Sequence, residues 1–237
     1  MAHSGFRRDP QAPNTEAVED YAKALHALAQ RSDGPVTTSA LAERLGVSAG
    51  SVTSMLKRMH EMGLVAHESY RGALLTERGE RVALEVIRHH RLLESYLAEV
   101  LGMPWDRVHD EAEVLEHYIS EELEQRIAEA LGDPAHDPHG DPIPSAELDL
   151  ATDDTVSLTD LEPGSVVAFA RVSDSDPEML RYLAERGIGP GAELQVVSRD
   201  PFDGPLHVSI AGREHVLGER LAGAIRVLAT SAPVQRG

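Results

Sequence analysis

Apolar residues near the start of the chain recur at the spacing of an amphipathic helix. From Thr15 onward they lie three or four positions apart, at Val18, Tyr21, Ala22, Leu25 and Leu28. This period predicts a helix that buries one face. The breakers at Ser32–Pro35 are expected to end it.

Two more helices and a hairpin are predicted next. Thr38 and Ser39 are expected to cap a short second helix. Ser48 is expected to cap a third helix, which stops at Gly63. Residues 64–76 form two short apolar runs around a polar turn, which indicates a hairpin. This order is typical of a winged helix-turn-helix, which we favour over a helical bundle because the cap, turn and wing all occur in sequence.

The middle of the chain is predicted to hold two long helices. The first runs from Thr76 to about Val100 and the second from about Asp106 to Leu131, with a break at Leu101–Pro104. Two long helices joined by a short loop are expected to pack antiparallel. The second helix carries an apolar stripe suited to a partner helix or a dimer seam, formed by Val108, Ala112, Leu115, Ile119 and Leu123.

The last third of the chain is predicted to be a small β-barrel. Short apolar runs occur at 166–172, 193–197, 206–210 and 225–228, with one short helix at 177–186. The Pro- and Gly-rich residues 132–154 are expected to form a loop and a linker. The fold class is therefore mainly α with a small β part. The predicted divisions are a disordered tail (1–14), a winged module (15–75), a helical domain with its linker (76–150) and the barrel (151–230).

The charge is concentrated in one of these divisions. The chain has 22 basic and 40 acidic residues, a net charge of −18. Residues 15–75 are nearly neutral, whereas residues 76–150 contain 6 basic and 19 acidic residues. An acidic middle is typical of a protein that handles cations, and a neutral N-terminal module can still contact DNA locally.

The composition excludes any site that needs a thiol and argues against a membrane-spanning segment. The chain has no cysteine, so disulfides and thiolate metal sites are excluded, which fits a cytoplasmic protein. It also lacks an apolar run near the ~18 residues of a membrane span, so we expect no role in a membrane.

One acidic stretch has the residue types of a metal site. His109, Glu113, Glu116 and His117 are spaced to share one face of a helix, and His90 with Glu94 repeat the i, i+4 spacing on the preceding helix. Carboxylates and imidazoles on facing helices can converge on a divalent cation. A solvated acidic face explains the Glu113, Glu116 and His117 pattern alone at least as well. The chain lacks a His-Glu-x-x-His motif, which argues against a zinc protease.

Four stretches together resemble the diphtheria-toxin-repressor and manganese-transport-regulator family of metal-dependent transcriptional repressors. They are Leu41–Ser48, Arg88–Glu94, Val108–His117 and Asp137–Pro144. The resemblance covers about residues 15–230 and is greatest to the three-domain actinobacterial manganese regulators. It implies a helical dimerisation domain and a C-terminal barrel of the Src-homology-3-like, FeoA-like type.

The resemblance also implies two metal sites per chain. The regulatory site is assigned to Asp20, Glu113, Glu116 and His117, and the ancillary site to His90, Glu94 and His109. Asp176 is the best candidate for a ligand from the barrel, while Met179 stands where iron-responsive members carry an amide.

The ligand types implied by the resemblance favour manganese. Iron-type members place Met and Cys where this chain has Asp20 and Glu113, and hard oxygen ligands favour Mn(II) over softer alternatives. Lys23 stands where two-domain manganese members carry a further Glu, so separate sites are expected rather than one site with a shared carboxylate. An Fe(II)-dependent repressor of the same architecture is the alternative.

The implied function is repression of metal-homeostasis genes by a metal-loaded homodimer on a palindromic double-stranded DNA operator. Ser48, Gly50, Ser51, Thr53 and Ser54 are expected to face the major groove. Lys57, Arg58, Tyr70 and Arg71 are candidates for phosphate contacts. The protein is not expected to be an enzyme, because a metal-dependent hydrolase would need a nucleophile or general base that the sequence does not offer. A metal-storage protein would bind cations without any change in DNA affinity.

Overall fold

The computed structural model describes residues 15–31, 34–68, 72–202 and 204–229. The chain divides into two compact units, one that ends at Arg88 and one that begins at His89. Among the described residues, no helix has both the length and the apolar composition needed to cross a membrane.

The first unit has the predicted order of a winged helix-turn-helix. It contains α1 (Glu16–Ala29), α2 (Thr38–Leu45), α3 (Ala49–Glu61), β1 (Val65–Glu68), β2 (Gly72–Leu75) and the start of α4 (Glu77–Glu99). The two strands pair antiparallel, with Val65 opposite Leu75. Leu25, Leu41 and Leu56 are fully buried and join all three helices in one core. Burial of these side chains determines which face of α3 points to solvent.

The ends of the helices are set by local hydrogen bonds. The side chain of Ser48 accepts from the Ser51 amide at 3.1 Å and so caps α3, as predicted. Gly63 follows α3 in the left-handed conformation, with φ +73°. The cap of α2 was predicted one residue too late. Thr37 is the residue with extended backbone, and its hydroxyl accepts from the Ala40 amide at 3.2 Å.

The second unit contains two helices where one was predicted. The expected helix from Asp106 to Leu131 is divided into α5 (Val108–Leu115) and α6 (Glu121–Leu131). Ser120 causes the break, because its backbone is extended and its side chain accepts from the Leu123 amide at 3.2 Å to cap α6. Glu116 and His117 consequently lie on a turn rather than on a helix face.

The break divides the predicted apolar stripe between two helices, and only part of the stripe is buried. Val108 and Ala112 are fully buried in α5. Leu115 is 39% exposed and Leu123 is 47% exposed. The helical part of the unit therefore leaves apolar side chains on its surface.

The barrel is a six-stranded antiparallel sheet in the order β3-β8-β4-β5-β6-β7. Its elements are β3 (Val156–Ser157), a 3-10 turn (Leu158–Asp160), β4 (Val166–Val172), α7 (Pro177–Ala184), β5 (Glu193–Arg199), β6 (Leu206–Ile210), β7 (Arg213–Leu217), α8 (Glu219–Ala224) and β8 (Ile225–Ala229). Phe169, Leu180 and Leu194 are buried at its centre. The sequence did not predict β3, β7 or α8, because β3 has two residues and β7 lacks alternation of polar and apolar positions.

A bulge interrupts β4. The register against β8 shifts between Phe169 and Arg171, so Ala170 is the extra residue. Phe169 and Val172 are both buried although they lie three positions apart, because the bulge changes which face the later residues point to.

The loop expected at 132–154 is packed against the barrel. The carbonyl of His139 accepts from the Val172 amide at 3.0 Å, which ties the loop to the end of β4. Gly140 has φ +90°, and a Cβ atom there would lie 2.0 Å from the Ala170 carbonyl oxygen. Glycine is required at this position because both the backbone conformation and the close approach exclude a side chain.

Replacement of Gly140 with alanine is expected to destabilise the second unit strongly. Gly212 is the matched control, since it has φ +76° and a Cβ atom added there would have no other atom within 4 Å. Gly212→Ala should cost about 1 kcal/mol for its backbone conformation, and Gly140→Ala about 2 kcal/mol more for the steric overlap. Calorimetric melting of both variants measures the difference. Equal losses would contradict the close contact between the loop and β4.

Candidate metal centre

Helix α4 supplies two side chains to the centre. His90 and Glu94 lie one turn apart on the same face, and both are buried. The Nε2 atom of His90 is 3.0 Å from Oε1 of Glu94. A buried carboxylate needs a positive partner, because removal of its charge from water is costly.

Two further side chains approach the same point. His109 on α5 places Nδ1 3.3 Å from Oε1 of Glu94 and 3.2 Å from Nε2 of His90. The same nitrogen is 3.2 Å from Oδ2 of Asp174, which follows β4 in the barrel. His90, Glu94, His109 and Asp174 each offer one ligand atom, and these atoms lie within 4.8 Å of one another.

Glu94 also belongs to a second group, with Asp137 and His139. All three are buried, and their ligand atoms again lie within 4.8 Å of one another. Oε2 of Glu94 and Nδ1 of His139 are 3.7 Å apart. Among the described residues, both atoms are buried without a hydrogen-bond partner. We call the combined set the Glu94 cluster, and its members are His90, Glu94, His109, Asp137, His139 and Asp174.

The unpartnered atoms test whether a cation suits the cluster. A buried polar atom without a partner costs about 1–3 kcal/mol. A cation bound beside Glu94 and His139 would give both atoms a partner. The donors are carboxylate oxygens and imidazole nitrogens, which suit a first-row divalent ion, so the residues fit a metal.

A separate set of ligands lies on the other side of His90. Its Nδ1 atom hydrogen-bonds to Oε2 of Glu116 and lies 4.0 Å from Oε1 of Glu113. Glu116 is only 1% exposed, and its Oε1 is 3.7 Å from Nε2 of His117. We call Glu113, Glu116 and His117 the Glu116 group. Asp20, the fourth predicted ligand of this site, is half-buried on α1 in the first unit.

The turn that carries Glu116 is held by a buried histidine. Nδ1 of His89 donates to the Glu116 carbonyl at 3.1 Å. Nε2 of His89 lies 2.9 Å from Oε2 of Glu124 on α6. The turn is thereby fixed to both α4 and α6, which restrains the Glu116 side chain.

The electrostatics of the Glu94 cluster show how strongly it attracts positive charge. Burial, reinforced by the charge of Glu94, raises the pKa of Asp137 to about 8. Hydrogen bonds with Asp174 and Glu94 raise the pKa of His109 to about 10. Burial opposes a charge on His139, yet its contact with Glu94 raises the pKa of His139 to about 9. Burial also opposes a charge on Glu94, but its three histidine partners hold its pKa well below the usual range.

These shifts mean that protons balance the carboxylates at neutral pH. The raised pKa values favour protonated His109, His139 and Asp137, whereas the lowered pKa of Glu94 favours its ionised form. A divalent ion would compete with these protons for the same nitrogen atoms.

The barrel residue in the cluster is Asp174, whereas Asp176 was predicted. Asp176 caps α7, where Oδ1 accepts from the amides of Glu178 and Met179 at 3.1 and 3.2 Å. Its other oxygen pairs with Arg220. Helix capping therefore occupies Asp176, while Asp174 is placed against His109. The backbone amide of Met179 donates to this cap at the start of α7.

Sequence reasoning also missed Asp137 and His139 as candidate ligands. Both lie in Asp137–Pro144, a stretch that counted only towards the family resemblance. An Asp-x-His spacing in a loop gives no helical face to search, so the period that found His90 and Glu94 does not detect it.

The candidate DNA-contacting residues of α3 and its cap lie on one exposed surface. This surface contains Ser48, Gly50, Ser51, Thr53, Ser54, Lys57 and Arg58. The hydroxyl groups of Ser48 and Ser51 are hydrogen-bonded to each other at 2.8 Å. Thr53 also donates to the Ala49 carbonyl at 2.9 Å. Tyr70 and Arg71, the candidates in the wing, lie outside the described residues.

Comparison with known proteins places these features in a family. Residues 14–73 match the N-terminal DNA-binding domain of iron-dependent repressors, and residues 76–145 match their metal-binding and dimerisation domain. Residues 156–229 match the FeoA domain. The iron-dependent repressor IdeR of Mycobacterium tuberculosis (strain ATCC 25618 / H37Rv) is 33% identical over 225 residues, which cover 90% of this chain and 96% of that protein.

This chain belongs to the diphtheria toxin repressor family. The diphtheria toxin repressor of Corynebacterium diphtheriae (strain ATCC 700971 / NCTC 13129 / Biotype gravis) is 30% identical over 222 residues, covering 90% of this chain and 96% of that protein. A solved structure of a manganese-dependent transcriptional repressor in complex with manganese is 42% identical. It covers 90% of this chain and 100% of its own, with a TM-score of 0.83.

Membership of the diphtheria toxin repressor family confirms the predicted resemblance and fold class. The chain is a metal-dependent transcriptional repressor with a DNA-binding domain, a helical dimerisation domain and a C-terminal FeoA domain.

The assignment of Asp174 can be tested against Asp176 directly. Asp174→Asn is expected to weaken Mn(II) binding at the Glu94 cluster at least about tenfold, because a carboxylate charge is lost beside His109. Asp176→Asn removes a charge of the same type two residues away and should change the affinity by less than about threefold, since asparagine still caps a helix. Calorimetric titration measures both. A larger loss with Asp176→Asn would restore the original assignment.

Proposed function

We propose that the chain is a manganese-dependent repressor that acts in the cytoplasm as a metal-loaded homodimer on a palindromic operator of metal-homeostasis genes. The observation that carries the choice of metal is the absence of sulfur among the candidate ligands. The chain has no cysteine, and the ligand groups among the described residues consist of carboxylates and imidazoles. Such ligands suit Mn(II). The manganese-dependent repressor named above supports this choice, whereas IdeR is named for iron.

Two kinds of metal site follow from this proposal. The regulatory site uses the Glu116 group together with Asp20, and the ancillary site is the Glu94 cluster. Burial of Glu116 and His117 supports the first site, and the unpartnered atoms of Glu94 and His139 support the second.

The mechanism depends on repulsion between carboxylates. Each pair of like charges at about 4 Å costs on the order of 1–4 kcal/mol. When bound, a divalent ion supplies the positive charge that offsets this repulsion. Asp20 then binds together with Glu116 and His117, and the winged module loses part of its orientational freedom.

Restraint of the winged modules raises the affinity of the dimer for DNA. Two modules must reach successive major grooves about 34 Å apart on a palindrome. The ion selects the arrangement that meets this spacing, and its differential affinity for that arrangement sets the size of the effect. Lys57 and Arg58 contact phosphates, while the small polar residues at the start of α3 meet the bases and the DNA surface.

The dimer is formed by the exposed apolar residues of the helical domain. Val114 on α5 is 63% exposed, and Tyr118 on the following turn is 61% exposed. Leu115 on α5 and Leu123 on α6 are exposed as well. Exposed apolar patches of this kind mark protein interfaces.

Loss of the Glu116 group is expected to abolish activation by metal. His117→Ala and Glu116→Gln should remove Mn(II)-stimulated DNA binding because each deletes a ligand, and both should remain folded dimers. Fluorescence anisotropy with a duplex selected from a random pool by the Mn(II)-loaded wild type measures binding, and light scattering measures the dimer. His215→Ala on β7 is the matched control. Stimulation at the wild-type level in both variants would contradict the regulatory assignment.

The preference for manganese is expected to appear as a difference in activating concentration. Under anaerobic conditions, Mn(II) should stimulate binding to the selected duplex at a lower free concentration than Fe(II) because the ligands lack sulfur. Co(II) and Zn(II) complete the series, since affinity alone favours later metals. Activation by Fe(II) at the lower concentration would identify an iron-responsive repressor instead.

A further inference from the structure

We propose that Trp105 is a positioning residue that couples the barrel to the Glu94 cluster, because it holds His139 from one side and the segment carrying Asp174 from the other. This inference rests on the proposed function, in which the cluster binds a cation. Trp105 is the single tryptophan of the chain and lies between α4 and α5, outside both helices.

Trp105 fixes His139 through two contacts. The indole and imidazole rings are stacked, with centroids 5.7 Å apart and planes inclined at 21°. Nε2 of His139 also donates to the Trp105 carbonyl at 2.8 Å. With Nε2–H engaged in this way, Nδ1 is the nitrogen available to a cation, and it is the atom that lies near Oε2 of Glu94.

Trp105 also fixes helix α7 of the barrel. Its indole N–H donates to the Leu180 carbonyl at 3.2 Å, and the ring packs against the barrel core. The neighbouring Asp106 accepts from Arg181 at 3.2 Å, so two successive residues hold successive residues of α7. The hydrogen bond donated by the indole N–H and the ion pair of Asp106 with Arg181 together restrain α7 against sliding and rotation.

The position of α7 determines that of Asp174. The helix begins at Pro177 and is capped by Asp176, so Asp174 lies only two residues before the cap. Its Oδ2 atom lies 3.2 Å from Nδ1 of His109. Metal–ligand distances tolerate deviations of only about 0.2 Å, so a small displacement of α7 would remove Asp174 from a shared ion.

The two effects of Trp105 act on opposite sides of Glu94. His139 approaches its Oε2, and His109, with Asp174 behind it, approaches its Oε1. A single residue, through its indole ring and its backbone carbonyl, therefore sets the separation of donors that come from the loop and from the barrel. Simple core packing would require neither the stacked imidazole nor the carbonyl contact.

The test compares variants of Trp105 in two backgrounds of the full-length chain. His117→Ala leaves the Glu94 cluster to bind Mn(II), and His109→Ala leaves the Glu116 group. Trp105→Leu keeps an apolar side chain but loses the ring and its N–H. We expect it to weaken Mn(II) binding about 10- to 100-fold in the His117→Ala background and less than about threefold in the His109→Ala background. Electron paramagnetic resonance of free Mn(II) measures both affinities.

A conservative variant and a packing control separate positioning from stability. Trp105→Phe retains a ring against His139 but lacks the indole N–H that holds α7, so it should recover part of the affinity lost in Trp105→Leu. Leu161→Ala removes another side chain that packs on the barrel core, and it should lower the melting temperature without a selective loss of Mn(II) binding. Equal loss of affinity in both backgrounds, or a loss with Leu161→Ala as large as with Trp105→Leu, would overturn the proposal.

Tryptophan emission gives a second readout. Addition of Mn(II) should quench Trp105 in the wild type and in His117→Ala, since the ring stacks on a ligand of the cluster. The response should disappear in His109→Ala. If His117→Ala binds no Mn(II) even with Trp105 intact, the proposed metal site itself fails. If it binds Mn(II) and Trp105→Leu leaves the affinity unchanged, only the role of Trp105 fails.

Discussion

The burial of Glu94 is the constraint on which the second unit depends. A fully buried carboxylate is unfavourable unless positive charge surrounds it, and three histidines from three different segments converge on this one. Helix α4 supplies His90, α5 supplies His109 and the loop after α6 supplies His139. Three segments distant in sequence thus meet at a single buried charge, which favours positively charged partners at this point.

Acidic residues in such a site perform two opposing tasks. In the proposed mechanism, their mutual repulsion loosens the metal-free state, and their shared attraction for a cation holds the metal-bound state together. The raised pKa values of His109 and His139 favour protons at these nitrogens, so in the proposed mechanism an ion that bound there would replace protons. A switch of this kind needs no large conformational change within the helical domain, because the change lies in which charges are balanced.

Sequence periodicity predicted the elements that bury a regular face and missed those that do not. The helices of the first unit and the long α4 follow a 3.6-residue period over many residues. The division between α5 and α6 was missed because Ser120 interrupts a stretch whose composition is otherwise helical. Among the candidate ligands, His90, Glu94 and His109 were found by helical spacing, whereas Asp174 and His139 lie in loops whose positions depend on tertiary contacts. Asp176 was preferred to Asp174 because of the family resemblance, and the contact of Asp174 with His109 depends on the tertiary structure.

The bulge in β4 affects which barrel residue lies against the helices of the proposed metal centre. The extra residue at Ala170 turns the remainder of the strand, so the chain leaves the sheet with Asp174 directed to the helices. Its carbonyl is also the atom that Gly140 approaches so closely. A regular strand of the same length would turn Val172 away from the core, so the bulge is what keeps Phe169 and Val172 on one buried face. In the proposed metal centre, the residue that the barrel contributes therefore depends partly on an irregularity in one strand, and a barrel with the same sheet but a regular β4 would present a different residue to the helices.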